Sequence, residues 1–121
     1  MIHSAKFLDI VSDAKSRIRE ITAAEVMRDR ESGADFVLVD TREDSEWARG
    51  HAGGSIHLGK GIIERDIEKT IPDTSKKIVL YCGGGFRSAL AADALQKMGY
   101  ENVFSLAGGW RAWNEAGMPV E

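Results

Sequence analysis

Cysteine is almost absent from this sequence: Cys82 is the only one among 121 residues. A single cysteine excludes an internal disulfide and a cysteine-rich metal site. The histidines, His3, His51 and His57, are scattered along the chain, and none has a metal-ligand spacing with Cys82. We therefore expect no metal and no cofactor. Any redox or group-transfer chemistry at Cys82 then needs an outside partner.

Long apolar runs and an excess of basic residues are also missing. No apolar run approaches the roughly 20 residues that span a bilayer. The 16 basic and 19 acidic residues leave a net charge of −3, which argues against a nucleic-acid partner. The N-terminus lacks the basic-then-apolar pattern of a secretion signal, because Asp9 and Asp13 interrupt it. We therefore expect a cytoplasmic protein that binds neither membranes nor nucleic acids.

Buried strands and amphipathic helices alternate along the chain. The length, with 43% hydrophobic and 29% charged residues, predicts one globular domain. Segments 36–39 and 78–81 are short, apolar on consecutive positions and rich in β-branched residues, which indicates strands buried on both faces. Shorter strands are predicted near 55–58 and 102–106. Helical patterns cover residues 4–20, 22–32, 43–49, 61–69, 88–98 and 110–116.

This alternation predicts a three-layer α/β fold with a mostly parallel central sheet and helices on both faces. An extra N-terminal helix precedes it. Apolar residues recur there at helical spacing and predict a stripe that packs on the domain: Phe7, Ile10, Val11, Ala14 and Ile18. We therefore expect an N-terminal helical extension over residues 1–18 and the α/β domain over residues 19–121.

The segment from Ile78 to Ala89 carries the strongest chemical signal. A buried strand ends, Cys82 follows, three glycines come next, and Arg87 stands at the start of a helix. Ligands of open α/β sheets bind beyond the carboxyl ends of the strands. Glycines let successive N–H groups point at one spot, and the following helix directs the positive end of its dipole there. These features, with the charge of Arg87, favour a reactive thiolate that can carry a persulfide.

An inert core residue is the alternative interpretation of Cys82, since free cysteines are often buried and unreactive. The three glycines oppose it, because each costs a helix or strand roughly 0.5–1 kcal/mol relative to alanine. Such a loop needs something for its amides to hold. Asp40 and Arg42 also follow a strand end, where catalytic residues often lie. We favour a structural ion pair or a helix cap for these two residues.

In three blocks, spread from about Ile18 to Val120, the sequence resembles the rhodanese domain, a sulfurtransferase fold. The blocks occur in the order and spacing of the family's signatures: Val39-Asp40-Thr41-Arg42 with Glu46-Trp47 and Gly50-His51, then Cys82-Gly83-Gly84-Gly85-Phe86-Arg87-Ser88, and finally Leu106-Ala107-Gly108-Gly109-Trp110 with Ala112-Trp113.

The resemblance implies a double-displacement transfer of sulfane sulfur. Cys82 attacks a small anionic donor such as thiosulfate or a persulfide, becomes a persulfide, and passes the sulfur to cyanide, to a thiol or to a protein sulfur carrier. The resemblance also implies that the backbone of the active loop stabilises the persulfide and that Arg87 binds the donor. The expected loop residues are Gly83, Gly84, Gly85, Phe86 and Arg87. Ser88, Asp40 and Arg42 are supporting candidates.

Two alternatives to sulfur transfer stay open. One is a rhodanese-like interaction module without activity, although such modules usually lose the cysteine or the loop. The other is a phosphatase or arsenate reductase of related fold, whose loop has five residues between cysteine and arginine. Here only four residues, Gly83 to Phe86, lie between Cys82 and Arg87. Glu46 stands where some thiosulfate-specialised members carry a cation, so a low-molecular-weight or protein persulfide also fits as donor.

Overall fold

Five parallel strands form the centre of the protein in the computed structural model, which describes residues 2–121. Their spatial order is β1-β5-β4-β2-β3. The bounds are β1 Arg19–Ile21, β2 Val37–Asp40, β3 Ile56–His57, β4 Ile78–Tyr81 and β5 Val103–Leu106. The short apolar segments that predict buried strands are thus strands, and β4 lies in the middle of the sheet with all four residues buried.

Helices cover both faces of this sheet. Their bounds are α1 Ala5–Lys15, α2 Ala23–Glu31, α3 Asp44–Ala48, α4 Ile63–Thr70, α5 Phe86–Lys97 and α6 Gly109–Glu115. One core lies under α4 and α5, where Ile67 and Leu95 are fully buried. A second core lies under α2 and α6, around Val26 and Trp113. The predicted fold class, a three-layer α/β fold with an added N-terminal helix, is therefore confirmed.

None of the helices within residues 2–121 has both the length and the apolar character needed to cross a membrane. The cytoplasmic location expected from the sequence stays a prediction.

The N-terminal helix is shorter than its sequence pattern predicts. The expected helix covers residues 4–20, but α1 ends at Lys15, and Arg19–Ile21 form the edge strand β1. Strand β1 pairs in parallel with β5, placing Ile21 beside Leu106. The backbone N–H and C=O groups of these three residues thus bond across the sheet instead of continuing the helix, which is why the prediction was wrong here.

Helix α1 packs on α5, as the apolar stripe predicts. Val11 and Ala14 are buried, and the carboxylate of Asp93 in α5 binds the guanidinium of Arg17 at 2.8 Å. Ile10, expected in the same stripe, is instead 55% exposed. We keep as a proposal the division into an extension over residues 1–18 and a domain over residues 19–121.

Candidate active site

Cys82 follows the last residue of the central strand β4, at the carboxyl edge of the sheet. Its side chain is buried, with 1% of the residue exposed. It nevertheless lines a pocket of about 470 Å³. The cysteine thus lies at the base of a pocket that a small reactant can enter.

The glycine loop turns the chain sharply so that backbone N–H groups face the cysteine sulfur. Gly85 has a φ of 98°, a left-handed conformation that favours glycine, and it directly precedes α5. The N–H groups of Gly85 and Ser88 donate to the Sγ atom of Cys82 at 3.2 and 3.4 Å. The first turn of a helix leaves its N–H groups without intrahelical partners. The sulfur therefore lies where a negative charge is stabilised.

Two buried hydroxyl groups lie behind the sulfur. The Oγ atom of Ser88 is 3.5 Å from the Sγ atom of Cys82 and 2.8 Å from the Oγ atom of Ser105. Both serines are fully buried. The pair can add one more hydrogen bond to the sulfur. Ser88 was a predicted supporting residue, whereas Ser105 was missed; its only signal is a lone hydroxyl within the apolar strand β5.

The first two residues of α6 hold the backbone of Cys82. The N–H of Trp110 donates to the carbonyl oxygen of Cys82 at 2.7 Å. Gly109, in front of it, has a φ of 52°, and a Cβ atom at this position would overlap that same carbonyl oxygen. Glycine is thus required at position 109 both by the backbone conformation and by the close approach of the active loop.

Replacing Gly109 with alanine is expected to lower the free energy of unfolding by about 2–4 kcal/mol, from backbone strain and steric overlap together. Urea unfolding measures this loss. Gly117→Ala is the matched control, since Gly117 has a φ of 69° with nothing within 4 Å of the added Cβ. The control should lose only about 1 kcal/mol. Equal losses in the two variants would contradict the proposed contact with Cys82.

Arg87 folds back over the loop, close to Gly83, and a carboxylate holds it there. Its Nη1 atom donates to the Oε1 atom of Glu46 at 2.7 Å, and its Nη2 atom donates to Oε2 at 3.2 Å. The backbone N–H of Glu43 also donates to Oε1 of Glu46, at 3.1 Å, which fixes the carboxylate. The hydrogen bond from Arg87 lowers the pKa of Glu46 from its ordinary value of 4.5 to about 2. Arg87, the cation of the active loop, is therefore paired with Glu46.

This pair makes stability depend on pH. The pKa of Glu46 is lower in the folded protein than in the unfolded chain. The contribution of the Arg87–Glu46 pair to the free energy of unfolding is therefore complete above about pH 4.5 and is lost as the pH falls towards 2. In chemical denaturation, Glu46→Gln should lower the free energy of unfolding by about 1 kcal/mol at neutral pH, since the pair is partly solvated. The difference from the unmodified protein should shrink below pH 4.5. A difference that persists undiminished at pH 2 would contradict the ion pair.

Asp40 and Arg42 form the expected ion pair, at 2.8 Å, and both are buried. The hydroxyl of Tyr81 donates to the Oδ2 atom of Asp40 at 2.8 Å, and the guanidinium of Arg42 donates to the carbonyl oxygen of Gly50 at 2.7 Å. Burial raises the pKa of Tyr81 to about 12. This network ties the end of β2 to the end of β4. Its side chains bond to one another and to the backbone, and none of these bonds reaches the sulfur of Cys82.

Aromatic side chains from the N-terminal segment form a wall of the pocket, which the sequence did not predict. His3 meets the ring of Phe86 edge-on, with 4.7 Å between ring centroids. Phe7 in α1 lies 6.3 Å from Phe86 in the same orientation. His3, Phe7 and Phe86 all line the pocket that contains Cys82. Among residues 2–121, no three His, Cys, Asp or Glu side chains are grouped as a metal site requires.

The chain is similar to known proteins. A family model described as Rhodanese-like domain matches residues 22–116. Thiosulfate sulfurtransferase GlpE of Haemophilus influenzae is 33% identical over 103 residues, which are 85% of this chain and 94% of that relative.

Two solved structures show the same arrangement of strands and helices. One is a Rhodopseudomonas palustris protein of unknown function, described as a possible tyrosine phosphatase. It is 35% identical with a TM-score of 0.88, and the match covers 100% of this chain and 99% of that one. The other, the rhodanese-like domain of an Anabaena protein, is 27% identical with a TM-score of 0.76, over 84% of this chain and 77% of that one.

Proposed function

Since this chain belongs to the rhodanese-like domain family, we propose that it transfers sulfane sulfur through a persulfide on Cys82. The expected class of enzyme, a sulfurtransferase, is supported by curated relatives from Haemophilus influenzae and Coxiella burnetii that are named thiosulfate sulfurtransferases. The donor is thiosulfate or a persulfide, and the acceptor is cyanide, a thiol or a protein sulfur carrier.

The reaction has two displacements. The Cys82 thiolate attacks the outer sulfur of thiosulfate, the S–S bond of the donor breaks, and sulfite leaves with the bonding electron pair. The cysteine then holds a persulfide anion. The charge is conserved, because the thiolate and the thiosulfate dianion have become the persulfide anion and the sulfite dianion. In the second step the acceptor, for example cyanide, attacks the outer sulfur, thiocyanate leaves, and the thiolate is restored.

One observation carries this proposal: the N–H groups of Gly85 and Ser88 converge on the Sγ atom of Cys82 at the base of a pocket. They stabilise the thiolate before attack and after release. In the persulfide, the outer sulfur extends from Sγ into the loop formed by Gly83, Gly84, Gly85, Phe86 and Arg87. The remaining N–H groups of the loop are the donors available to its negative charge.

Phosphate ester hydrolysis is the second candidate, because the Rhodopseudomonas palustris neighbour is described as a possible tyrosine phosphatase. The loop argues against it. Four residues separate Cys82 from Arg87, which makes a cradle suited to one sulfur atom rather than to a phosphoryl group.

Intact-protein mass spectrometry tests the proposal. The protein is incubated with thiosulfate or with a low-molecular-weight persulfide, and Cys82→Ser is the control. A gain of one sulfur atom that cyanide removes and that the variant lacks is the expected result. No gain with either donor would overturn sulfur transfer. Hydrolysis of para-nitrophenyl phosphate that disappears in Cys82→Ser would instead support the phosphatase.

A further inference from the structure

Three aromatic rings stand beside the reactive cysteine, and two of them come from outside the matched family region, residues 22–116. We call His3, Phe7 and Phe86 the aromatic wall. The ring centroids are 5.2 Å apart for His3 and Phe7, 4.7 Å for His3 and Phe86, and 6.3 Å for Phe7 and Phe86. The wall, Cys82, Glu46, Gly84 and Arg87 line one pocket. The apolar side of the pocket thus adjoins the sulfur itself.

The aromatic wall is not what anchors α1 to the domain. Val11 and Ala14 are the buried residues of α1, which packs on α5. Arg17, two residues after the C-terminal end of α1, binds Asp93 in α5. Beyond the wall, a second pocket of about 670 Å³ continues outwards and is also lined by Ile2, Leu8 and Arg111. Volumes of a few hundred Å³ with apolar walls are typical of sites for small organic molecules. An inorganic ion such as thiosulfate needs no such wall.

The charges around the two pockets do not favour a dianion. Arg87 is paired with Glu46 at 2.7 Å, so the two side chains cancel. Arg111, on the outer rim, forms no ion pair with another side chain in the described chain, residues 2–121. The ammonium of Lys15 lies 5.2 Å from the centroid of the Phe86 ring but is paired with Glu20 at 3.7 Å. Arg111 is thus balanced by the Cys82 thiolate, and no excess of positive charge is left to hold a dianion. Thiosulfate is a dianion, whereas an organic persulfide or thiosulfonate is a monoanion with an apolar body.

We propose that the aromatic wall selects monoanionic organic sulfane-sulfur donors, with an aromatic or aliphatic body next to the reacting sulfur, over thiosulfate. The proposal rests on the proposed sulfur transfer. With a persulfide donor, R–S–S⁻ and the Cys82 thiolate give R–S⁻ and the Cys82 persulfide. With a thiosulfonate donor, R–SO₂–S⁻ gives the sulfinate R–SO₂⁻ and the same persulfide. In both cases one S–S bond breaks, one forms, and the charge is conserved.

Two thiosulfonates separate the effect of the apolar body from that of the reacting group. Benzenethiosulfonate and methanethiosulfonate have the same charge and transferable sulfur, and they differ in a phenyl against a methyl group. Their kcat/KM ratio is measured with cyanide as acceptor and divided by the ratio of their rates with cyanide alone. We expect this corrected ratio to be about tenfold in favour of the phenyl donor, the gain of one well-packed aromatic contact.

Substitutions in the aromatic wall should lower this ratio. His3→Ala and Phe7→Ala are each expected to reduce it to about threefold or less. Ile10→Ala is the matched control, because Ile10 lies on the same helix, is 55% exposed, and should leave the ratio unchanged. Phe7→Leu removes the aromatic ring but keeps an apolar side chain against α5. If the ratio falls in this variant as well, the fall does not result from unfolding of α1. Circular dichroism checks the helix content of every variant.

A corrected ratio near one in the unmodified protein, or a ratio that both His3→Ala and Phe7→Ala leave unchanged, would overturn the selectivity. Failure of sulfur transfer itself has a different signature: neither thiosulfonate would then add a sulfur atom to Cys82 in the intact mass. A kcat/KM for thiosulfate above that for benzenethiosulfonate would also overturn the proposal.

Discussion

Cys82→Ser is expected to abolish sulfur transfer, with a fall in kcat of at least about 10³-fold. Serine keeps the shape of the side chain and can accept the hydrogen bonds that Gly85 and Ser88 donate. Its oxygen does not attack the sulfane sulfur at neutral pH, since the hydroxyl remains protonated without an adjacent base, and no persulfide can form on oxygen. Thiocyanate formation from thiosulfate or benzenethiosulfonate with cyanide measures the loss.

The fold of the Cys82→Ser variant should be intact. Cys82 is buried beneath the loop, and serine is slightly smaller, so we expect a change in unfolding free energy of about 1 kcal/mol or less. Chemical denaturation, followed by circular dichroism, provides this control. An inactive variant that is also unfolded would say nothing about the sulfur, whereas a folded variant with retained activity would rule out the cysteine mechanism.

Much of the fold is predictable because its signals are local. Ile78–Tyr81 is a run of consecutive apolar residues, and it forms the central buried strand. The helix predicted from residue 22 begins with a capping box, in which Thr22 and Glu25 form reciprocal hydrogen bonds at 3.1 Å. The loop around Cys82 is also a local feature, since glycine allows the left-handed conformation that Gly85 adopts in the tight turn before α5. Neighbouring residues determine each of these structures.

Strand β1 could not be predicted in the same way. It has three residues, and Ile21 alone is buried, so it lacks an apolar run. Its strand conformation depends on hydrogen bonds to β5, more than 80 residues later in the chain. The apolar spacing of Ile18 with the preceding residues therefore indicated a longer helix, although Ile18 packs against the core beside the sheet. Pairing partners far apart in the sequence leave no local pattern.

The same limit applies to the walls of the candidate site. Glu46 and Arg87 are 41 residues apart, and the sequence does not show that they bind each other. His3 and Phe7 reach Phe86 only because α1 packs on α5. The sequence thus predicted Cys82 and its loop as the candidate site, while the side chains that line the rest of the pocket depend on tertiary packing.

Arg87→Ala is expected to raise KM for thiosulfate about 10- to 100-fold, since two effects act in the same direction. The variant loses a charged hydrogen-bond donor beside Cys82, worth roughly 1.5–3 kcal/mol. It also leaves the carboxylate of Glu46, whose pKa is about 2 in the folded protein, without the guanidinium that neutralises it. An unpaired negative charge at the pocket repels an anionic donor. Steady-state kinetics over a range of thiosulfate concentrations separates KM from kcat.

The double variant Arg87→Ala/Glu46→Gln tells these two effects apart. Removing the carboxylate as well should recover part of the lost affinity, because the repulsion disappears while the missing donor stays missing. Glu46→Gln alone should lower KM for thiosulfate several-fold, since it releases the positive charge of Arg87 to the donor. Additive effects in this cycle would show that the two side chains act independently on the donor. An unchanged KM in Arg87→Ala would show that the ion pair, bonded at 2.7 Å, serves only to hold α3 against the active loop.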